Sequence, residues 1–524
     1  MRGWLAGLLL LAGLASLAAR EVSITILHTT DLHGHILPAN IEYPKEEAGS
    51  DLGGLARCAT AIKKIRAETP NCLLVDDGDT IQGTAASFMS GGLMMVRALN
   101  QLHYDAWVLG NHEFDWGLEK LTRCVETSRA PVLAANIRCD ATVPPAITAR
   151  LQPYVIKEVD GVRVAIAGLT TPGIPNWSRP RLIQGMKFES SVEALQRALP
   201  ELKRQKPDVI VLAAHQGFRA SPDDHANEIH DVATWCPELS AIIGGHTHRA
   251  VPEVMTHDIL YSQSGHWGIC LGRMDLVYDT DQHRLTRRSA RLIPMDSGVP
   301  MDSEILALAK ADLNAANREM RRVIGAATAE FSVAAAPSRE TSVHNLLCEA
   351  ILDRCQRAGH PADIVIHGVL DEHAGLKKGP ITVGNCWSLV PFENFIGVFE
   401  VTPAQLLEIL EEDAARYSRD HFSGVYGTKI VLRVGAPAGR RVVSITDSDG
   451  KPFEADRRLR VAVNSFDLAS AGTRKLRLRA IADAPEAKLV EVDYLVRQAL
   501  MDFITAKKEI SPHLYGWWRT GVVR

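Results

Sequence analysis

Residues 105–115 read DAWVLGNHEFD, a short apolar run that ends in Asn111, His112 and Asp115. Four other apolar runs end in the same kinds of side chain. Residues 22–33 (VSITILHTTDLH) lead to Asp31 and His33, residues 73–79 (LLVDDGD) to Asp79, residues 209–217 (VIVLAAHQG) to His215, and residues 241–248 (AIIGGHTH) to His246 and His248. Each run is typical of a buried strand. The pattern therefore predicts an α/β domain with a ligand site at the carboxyl edge of its sheet.

The side chains at these strand ends are of the types that bind divalent metal ions. Carboxylate and imidazole ligands, one of them bridging, suit two cations about 3.5 to 4 Å apart. Asp79 is the natural bridge. We expect the other ligands to divide into two sets, with Asp31, His33 and His248 on one metal and Asn111, His215 and His246 on the other. Two such ions activate water and neutralise charge on a transferring phosphoryl group.

Of the strand-end residues named above, His112 and Asp115 are not assigned to a metal. His112 directly follows the ligand Asn111, so its ring can face the substrate, and Asp115 can orient that ring. We predict that His112 protonates the leaving group or stabilises charge. A sixth apolar run, residues 162–172, leads into a polar loop whose Asn176 we expect to contact substrate. Any single motif could be a turn or a helix cap, but all five in order favour a metal site.

The motifs DxH, GD, GNHEFD, AHQG and GGHTH, in this order, resemble the signature of the calcineurin-like metallophosphoesterases. NHEFD resembles their 5'-nucleotidase branch. The resemblance implies an N-terminal calcineurin-like αββα sandwich with a dimetal site at strand ends, a linker helix, and an α+β C-terminal substrate domain. It implies Zn, Mn or similar ions as cofactors. Many members of the branch have Asn or Gln where this chain has His248.

Length and charge agree with this organisation. At 524 residues the chain is too long for one ordinary core. Its net charge of -4 gives no basic footprint, so a polymeric nucleic acid is not the expected partner, whereas a small phosphate ester is. Apolar residues recur at helical spacing over residues 92–102 and 192–203. Asp302 reads as the N-cap of an amphipathic linker helix. No oligomeric state is indicated.

The N-terminus has the pattern of a secretory signal. Arg2 supplies the positive end, residues 5–17 are apolar, and small residues follow at Ala18 and Ala19. The alternative is an N-terminal membrane anchor, for which the apolar run is short. We expect cleavage near residues 18–20 and a periplasmic or secreted protein without a stable membrane anchor. The expected domains are residues 1–19 (signal peptide), 21–300 (metallophosphoesterase), 301–325 (linker helix) and 326–524 (substrate domain).

The resemblance also implies substrate contacts in the C-terminal domain. Phe392, in PFEN, and Phe466, in VNSFDLASAG, are the candidates for two aromatic rings that stack on a nucleobase. Both could instead be ordinary core aromatics. Arg339 lies in the stretch that matches the helix opening this domain, and it is a candidate for binding phosphate. Nine cysteines without a CxxC pair are expected to be mostly buried free thiols.

Three departures from the family pattern bear on the substrate. Residues 367–372 (HGVLDE) stand where the family has an Asn-Gly-Gly loop ending in a phosphate-binding Arg, and Pro337 and Thr473 replace a second Arg and a ribose-binding Asp. A carboxylate does not replace a guanidinium on phosphate. Either another cation supplies the charge, from Arg339, Lys377, Lys378 or Arg474, or the substrate is not a standard nucleoside monophosphate.

The sequence thus predicts an exported dimetal phosphoesterase that hydrolyses small phosphate esters, with a nucleotide as the favoured substrate. Three alternatives within the same branch are a cyclic-nucleotide phosphodiesterase, a nucleotide-sugar hydrolase and a thiosulfohydrolase. A fourth is a protein that binds a nucleotide without turning it over.

Overall fold

The computed structural model describes residues 20–44, 51–219, 223–418 and 422–521, so the expected signal peptide lies outside the described residues. Two facing sheets form the first half of the chain. The seven-stranded sheet has the order Arg284–Pro294, Cys270–Asp279, Glu21–Thr29, Cys72–Asp76, Ala106–Val108, Val132–Leu133 and Leu151–Gln152. The six-stranded sheet has the order Ala250–Thr256, Ile259–Ser264, Ala241–Gly244, Val209–Ala214, Val162–Leu169 and Tyr154–Val159. A short pair, Ile137–Cys139 and Met186–Phe188, lies beside them.

Each sheet has two apolar faces, one packed against the other sheet and one covered by helices. Successive side chains of a strand point to opposite faces. Leu73, Val75 and Val211 therefore pack in the layer between the sheets. Leu74 faces the outer helices of the first sheet, and Leu212 faces those of the second. The resulting αββα arrangement confirms the predicted fold class.

The outer helices of the first half follow the predicted periodicity. They are Leu55–Glu68, Ala85–Ser90, Leu93–Gln101, Gly117–Thr127, Pro145–Arg150, Ser191–Arg204 and Ile229–Trp235, with 3-10 turns at His112–Phe114, Ile174–Asn176 and Pro180–Leu182. The helices predicted over residues 92–102 and 192–203 are confirmed, each to within a residue at its ends.

A long helix, Ser303–Met320, connects the two halves. Its N-cap is Asp302, as predicted, and the Asp302 carboxylate accepts hydrogen bonds from the backbone N–H groups of Glu304 and Ile305 at 3.1 and 3.0 Å. It packs against helices of both halves, namely Ala85–Ser90, Leu93–Gln101 and Val383–Leu389. One apolar cluster therefore continues from the first half into the second.

The second half is an α+β unit built on three small sheets. In sheet order, their strands are Ile364–Ile366, Leu459–Asn464, Phe395–Val401 and Val490–Leu495; Gly379–Thr382, Val323–Ala327 and Glu509–Ile510; and Val442–Thr446, Lys429–Leu432 and Trp518–Thr520. The helices are Ser342–Arg357, Val383–Leu389, Pro403–Ala414, Ser465–Leu468, Leu476–Ala482 and Val496–Lys507, with a 3-10 turn at Pro485–Ala487.

Charged side chains of the loop after Asn176 hold the two halves together. Arg179 donates to Glu491 at 2.7 Å and to Asp483 at 2.9 Å, both in the second half. Arg181 donates to Asp493 at 2.9 Å, and its guanidinium carbon lies 3.8 Å from the centre of the Phe395 ring. The loop thus contacts the second half through both guanidinium groups.

All nine cysteines are free thiols, and six of them are buried. Burial raises the pKa of Cys124, Cys355 and Cys386 to about 12. The expectation of mostly buried free thiols is confirmed. In the part of the chain that the structure describes, no helix is both long and apolar enough to cross a membrane.

Candidate functional site

The chain turns sharply where the ligand-bearing strands end. Asp31, His33, Asp79, His246 and His248 have φ angles of 50°, 47°, 52°, 69° and 56°, in the left-handed region. Such a conformation costs about 1–3 kcal/mol per residue and is concentrated at functional sites, because the surrounding fold must enforce it. These turns direct the side chains of successive strands toward one another at the sheet edge.

The turns bring six predicted metal ligands into two groups. One group is Asp31, His33 and His248, and the other is Asp79, His215 and His246; within each, the ligand atoms lie within 4.8 Å of one another. In the first group, His248 Nε2 is 3.0 Å from His33 Nε2 and 3.5 Å from Asp31 Oδ1. In the second, His215 Nε2 is 3.0 Å from Asp79 Oδ2.

Asp79 lies between the groups, and Asn111 lies beside the second. Asp79 Oδ2, 3.0 Å from His215, is also 3.8 Å from His33 Nε2 of the first group. The Asn111 side-chain oxygen is 2.8 Å from His246 Nδ1. All seven predicted ligands therefore meet at one centre, with Asp79 in the position that a bridging ligand requires.

The electrostatics of the centre suit cations. Burial lowers the pKa of His33 and His246 to about 3, so these rings are neutral and have a lone pair to offer a metal. Burial raises the pKa of Asp31 to about 7, and the charge of Asp79 adds to the rise. His215 shows the opposite effect, since Asp79 and Asp31 together outweigh burial and raise its pKa well above the ordinary value. Two buried carboxylates facing imidazoles thus favour positive charge, which divalent ions would supply.

His112 and Asp115 form the predicted pair beside this centre. His112 Nδ1 is 2.7 Å from Asp115 Oδ2, and the His112 backbone N–H donates to Asp79 Oδ1 at 2.8 Å. The His112 ring centre is 5.2 Å from that of His33. Burial opposes charge on His112, but Asp115 and Asp79 outweigh it and raise the pKa to about 10. The ring can therefore hold an acidic proton at neutral pH.

Glu113 was not predicted as a site residue, yet its side chain holds the backbone around the ligand Asp79 in place. Its buried carboxylate accepts backbone N–H groups from Asp79, Thr80 and Gly110 at 2.9, 2.7 and 2.6 Å. A Cβ on Gly110 would lie 2.3 Å from Asp79 Oδ1, so only glycine fits there. The GNHE stretch thus fixes Asp79, and the acid inside this strand-end motif was the available signal.

His266 and Trp267 are a second feature that the sequence analysis missed. The His266 ring stacks on His248 at 4.9 Å, and His266 Nδ1 is 3.2 Å from the His248 carbonyl. The Trp267 N–H donates to the Asp31 carbonyl at 2.7 Å. Both contacts orient ligands of the first group, as outer partners of metal ligands commonly do. No motif in the sequence marks them, because they follow an ordinary strand.

Asn176 meets the second half of the chain. Its carbonyl accepts the Gly472 N–H at 3.0 Å, and a Cβ on Gly472 would lie 2.5 Å from Trp177 Nε1. The Trp177 ring is 5.1 Å from that of His246. The predicted loop therefore lies between the centre and residues 470–473, whose φ angles are all positive.

The candidate stacking residues extend from one edge of the four-stranded sheet. Phe392 precedes strand Phe395–Val401 and is 45% exposed, whereas Phe466 follows the neighbouring strand and is partly buried. At this exposure Phe392 is not a core side chain, so its ring is available for a ligand contact. Arg339 is exposed on the turn before helix Ser342–Arg357, and its backbone N–H donates to the Ala335 carbonyl at 3.0 Å.

The residues that depart from the family pattern make contacts within their own loops or face solvent. His367 is fully buried, and its Nδ1 is 2.7 Å from the Gly368 carbonyl. Glu372 is exposed. The Thr473 N–H donates to Ser470 Oγ at 3.1 Å, so this residue closes its own turn. Nearby, Lys475 is buried between Asp413 and Asp467 at 3.1 and 3.0 Å.

Comparisons with known proteins agree with this architecture. A family model described as calcineurin-like phosphoesterase matches residues 24–250, and one described as the 5'-nucleotidase C-terminal domain matches residues 323–477. The chain belongs to the 5'-nucleotidase family. This confirms the resemblance seen in the motifs, and with it a metallophosphoesterase-type hydrolase.

Individual members of the 5'-nucleotidase family align over most of the chain. The Rattus norvegicus 5'-nucleotidase is 28% identical over 499 residues, covering 86% of this chain and 83% of the relative. The crystal structure of a 5'-nucleotidase precursor from Thermus thermophilus covers 95% of this chain and 99% of its own, with 26% identity and a TM-score of 0.71. That of a putative 5'-nucleotidase from Staphylococcus aureus in complex with alpha-ketoglutarate covers 92% and 97%, with 25% identity and a TM-score of 0.78.

Proposed function

We propose that this family member is an exported phosphatase that releases phosphate from nucleotides, with two divalent ions held by the ligands named above. The proposal depends on the meeting of two ligand groups at Asp79, with an acidic imidazole beside them. The chemistry that two such ions supply is activation of water and neutralisation of charge at phosphorus.

The protein's own groups complete the reaction. The bond that forms joins a water oxygen to phosphorus, and the bond that breaks joins phosphorus to the ester oxygen. His112 would pass its proton to the leaving oxygen, while Asp115 holds the ring through Nδ1. Phe392, exposed at the sheet edge, offers a flat surface for a nucleobase.

A substrate panel tests the proposal. Purified protein, first chelated and then supplied with Mn or Zn, would be assayed on nucleoside mono-, di- and triphosphates, cyclic nucleotides, nucleotide sugars, simple phosphate esters and thiosulfonates. Products would be separated by chromatography, with phosphate and sulfate measured in the same samples. We expect hydrolysis to be fastest with a nucleotide, and phosphate to be released from it. A preference for cyclic nucleotides, nucleotide sugars or a sulfur substrate would instead favour another hydrolase of the branch. Tight nucleotide binding without product would favour a binding protein.

Export is a separate part of the proposal, and it rests on the sequence of residues 1–19. Expression of the full chain in a bacterial host, followed by mass spectrometry of the secreted or periplasmic fraction, measures the mature N-terminus. We expect it to lie near residue 20. Retention of the complete chain in the cytoplasm or membrane fraction would contradict export without affecting the proposed chemistry.

A further inference from the structure

A buried hydrogen-bonded path runs from the metal centre into the second half of the chain. It starts at His33, passes through Gln82 and Glu393, and ends at Arg497. All four side chains are buried. The step from Gln82 to Glu393 joins the two halves directly, and neither Gln82, Glu393 nor Arg497 has a role in the proposed reaction.

The first step of the path fixes the orientation of His33. His33 Nδ1 lies 3.1 Å from the Gln82 carbonyl oxygen and 3.2 Å from its side-chain oxygen. Both partners are acceptors, so Nδ1 is the nitrogen that carries hydrogen. Nε2 is therefore left with its lone pair, and it faces His248 Nε2 and Asp79. Gln82 thus presents His33 for metal binding.

The second step fixes the orientation of Gln82. Its amide nitrogen donates to Glu393 Oε2 at 2.9 Å, which leaves the amide oxygen toward His33. Glu393 is the carboxylate that decides this orientation, because a carboxylate accepts hydrogen bonds and does not donate them. The Nδ1–H of His33 takes the amide oxygen on the opposite side, so Glu393 and His33 fix the Gln82 amide from its two ends.

Glu393 is held firmly by its own half of the chain. The Arg497 guanidinium donates to Glu393 Oε1 and, at 3.0 Å, to the Val390 carbonyl. The guanidinium carbon also lies 3.4 Å from the centre of the Trp387 ring. Glu393 and Arg497 are 6% and 2% exposed, and a buried ion pair with this many partners does not rearrange freely. The position of Glu393 therefore follows the position of the second half.

We propose that Glu393 is a positioning residue for the metal ligand His33, so that full metal affinity is reached only when the second half is docked. Phe392 is the residue before Glu393, so the same docking also positions this candidate stacking ring relative to the metal centre. The inference rests on the proposed function only through the metal centre. It links the part of the chain that selects the substrate to the part that holds the ions.

Metal binding by Glu393→Gln tests the inference. The mature chain would be stripped with chelator and titrated with Mn²⁺ and Zn²⁺ against a chromogenic chelator, with circular dichroism as a check of folding. We expect one of the two ions to bind about 10- to 100-fold more weakly. Activity should then recover toward the wild-type level at saturating metal.

Two further variants keep the test decisive. Asp483→Asn is the matched control, because it removes an ion pair between the halves, with Arg179, without touching the path. It should bind both ions as the wild type does. Gln82→Met removes the amide while leaving the Glu393–Arg497 pair intact, so it replaces Glu393→Gln if that variant fails to fold. We expect Gln82→Met to weaken the binding of the same ion as Glu393→Gln does.

Folded Glu393→Gln and Gln82→Met variants that bind both ions with wild-type affinity would overturn the inference. So would an equal loss of affinity in Asp483→Asn, which would mean that any loosening of the contact between the halves has this effect. The isotherms need no substrate. An inactive protein with the expected isotherms would therefore contradict the proposed function alone, whereas an active protein with unchanged isotherms would contradict the inference alone.

Discussion

The pair of His112 and Asp115 should keep the activity high at alkaline pH, and Asp115→Asn should remove this property. The His112 pKa of about 10 means that the ring keeps its proton from pH 6 to pH 9 and loses it only as the pH rises through that value. Asp115, at 2.7 Å, contributes most to raising this pKa against the effect of burial. Asp115→Asn removes the charge but keeps an acceptor for Nδ1.

The size of the effect follows from the protonated fraction of the ring. If the pKa returns to its ordinary value of about 6.5, that fraction is about 0.03 at pH 8 and about 0.76 at pH 6. The wild-type fraction stays close to one at both. We therefore expect kcat of Asp115→Asn to fall about 30-fold at pH 8 and less than about twofold at pH 6.

The assay is phosphate release at saturating Mn²⁺ and substrate from pH 5.5 to pH 10. Asp353→Asn is a suitable control, since Asp353 pairs with Arg357 at 2.8 Å on the first helix of the second half. Its profile should match that of the wild type. A loss in Asp115→Asn that is the same at pH 6 and pH 8 would refute the reasoning, because lost protonation must produce a loss that grows with pH.

Three other substitutions give separate checks of the site. Asp79→Asn should prevent stable binding of both ions and lower turnover more than about a hundredfold, since this carboxylate faces both groups. The metal content after dialysis measures the binding, and a retained pair of ions would contradict the bridging role. Phe392→Ala should raise KM for a nucleoside monophosphate about 5- to 150-fold while leaving KM for p-nitrophenyl phosphate nearly unchanged, as expected for lost stacking of about 1–3 kcal/mol; equal changes in the two KM values would argue against a base contact. His266→Ala should weaken metal binding about tenfold by freeing the His248 ring, and chelator competition would show it.

The first half of the chain was predictable because its signals are local. A strand such as Val209–Ala214 can be recognised from its own residues, and parallel neighbours necessarily end at one edge. His215 and His246 follow neighbouring strands of the same sheet, so their meeting needed only the order of the strands. The linker helix was predictable for the same reason, since Asp302 and the apolar spacing lie within one segment.

What escaped prediction depends on contacts distant in the sequence. The left-handed conformation of Asp31 and Asp79 is enforced by neighbouring loops, and aspartate adopts it too seldom for the residue type to predict it. Glu393 meets Gln82 across 311 positions, and Asn176 meets Gly472 in the same way. No spacing within one segment specifies such pairs. The relation of the two halves therefore had to come from the structure.

The burial of the thiols offers a measurement that needs no introduced label. The thiolate is the nucleophile that attacks alkylating reagents, so Cys124, Cys355 and Cys386 should react slowly while the fold is closed around them. Each opening of the surrounding structure would admit the reagent. Cys124 lies in the first half, whereas Cys355 and Cys386 lie in the second. Mass spectrometry of the labelled peptides would therefore compare, within one sample, how often each half opens.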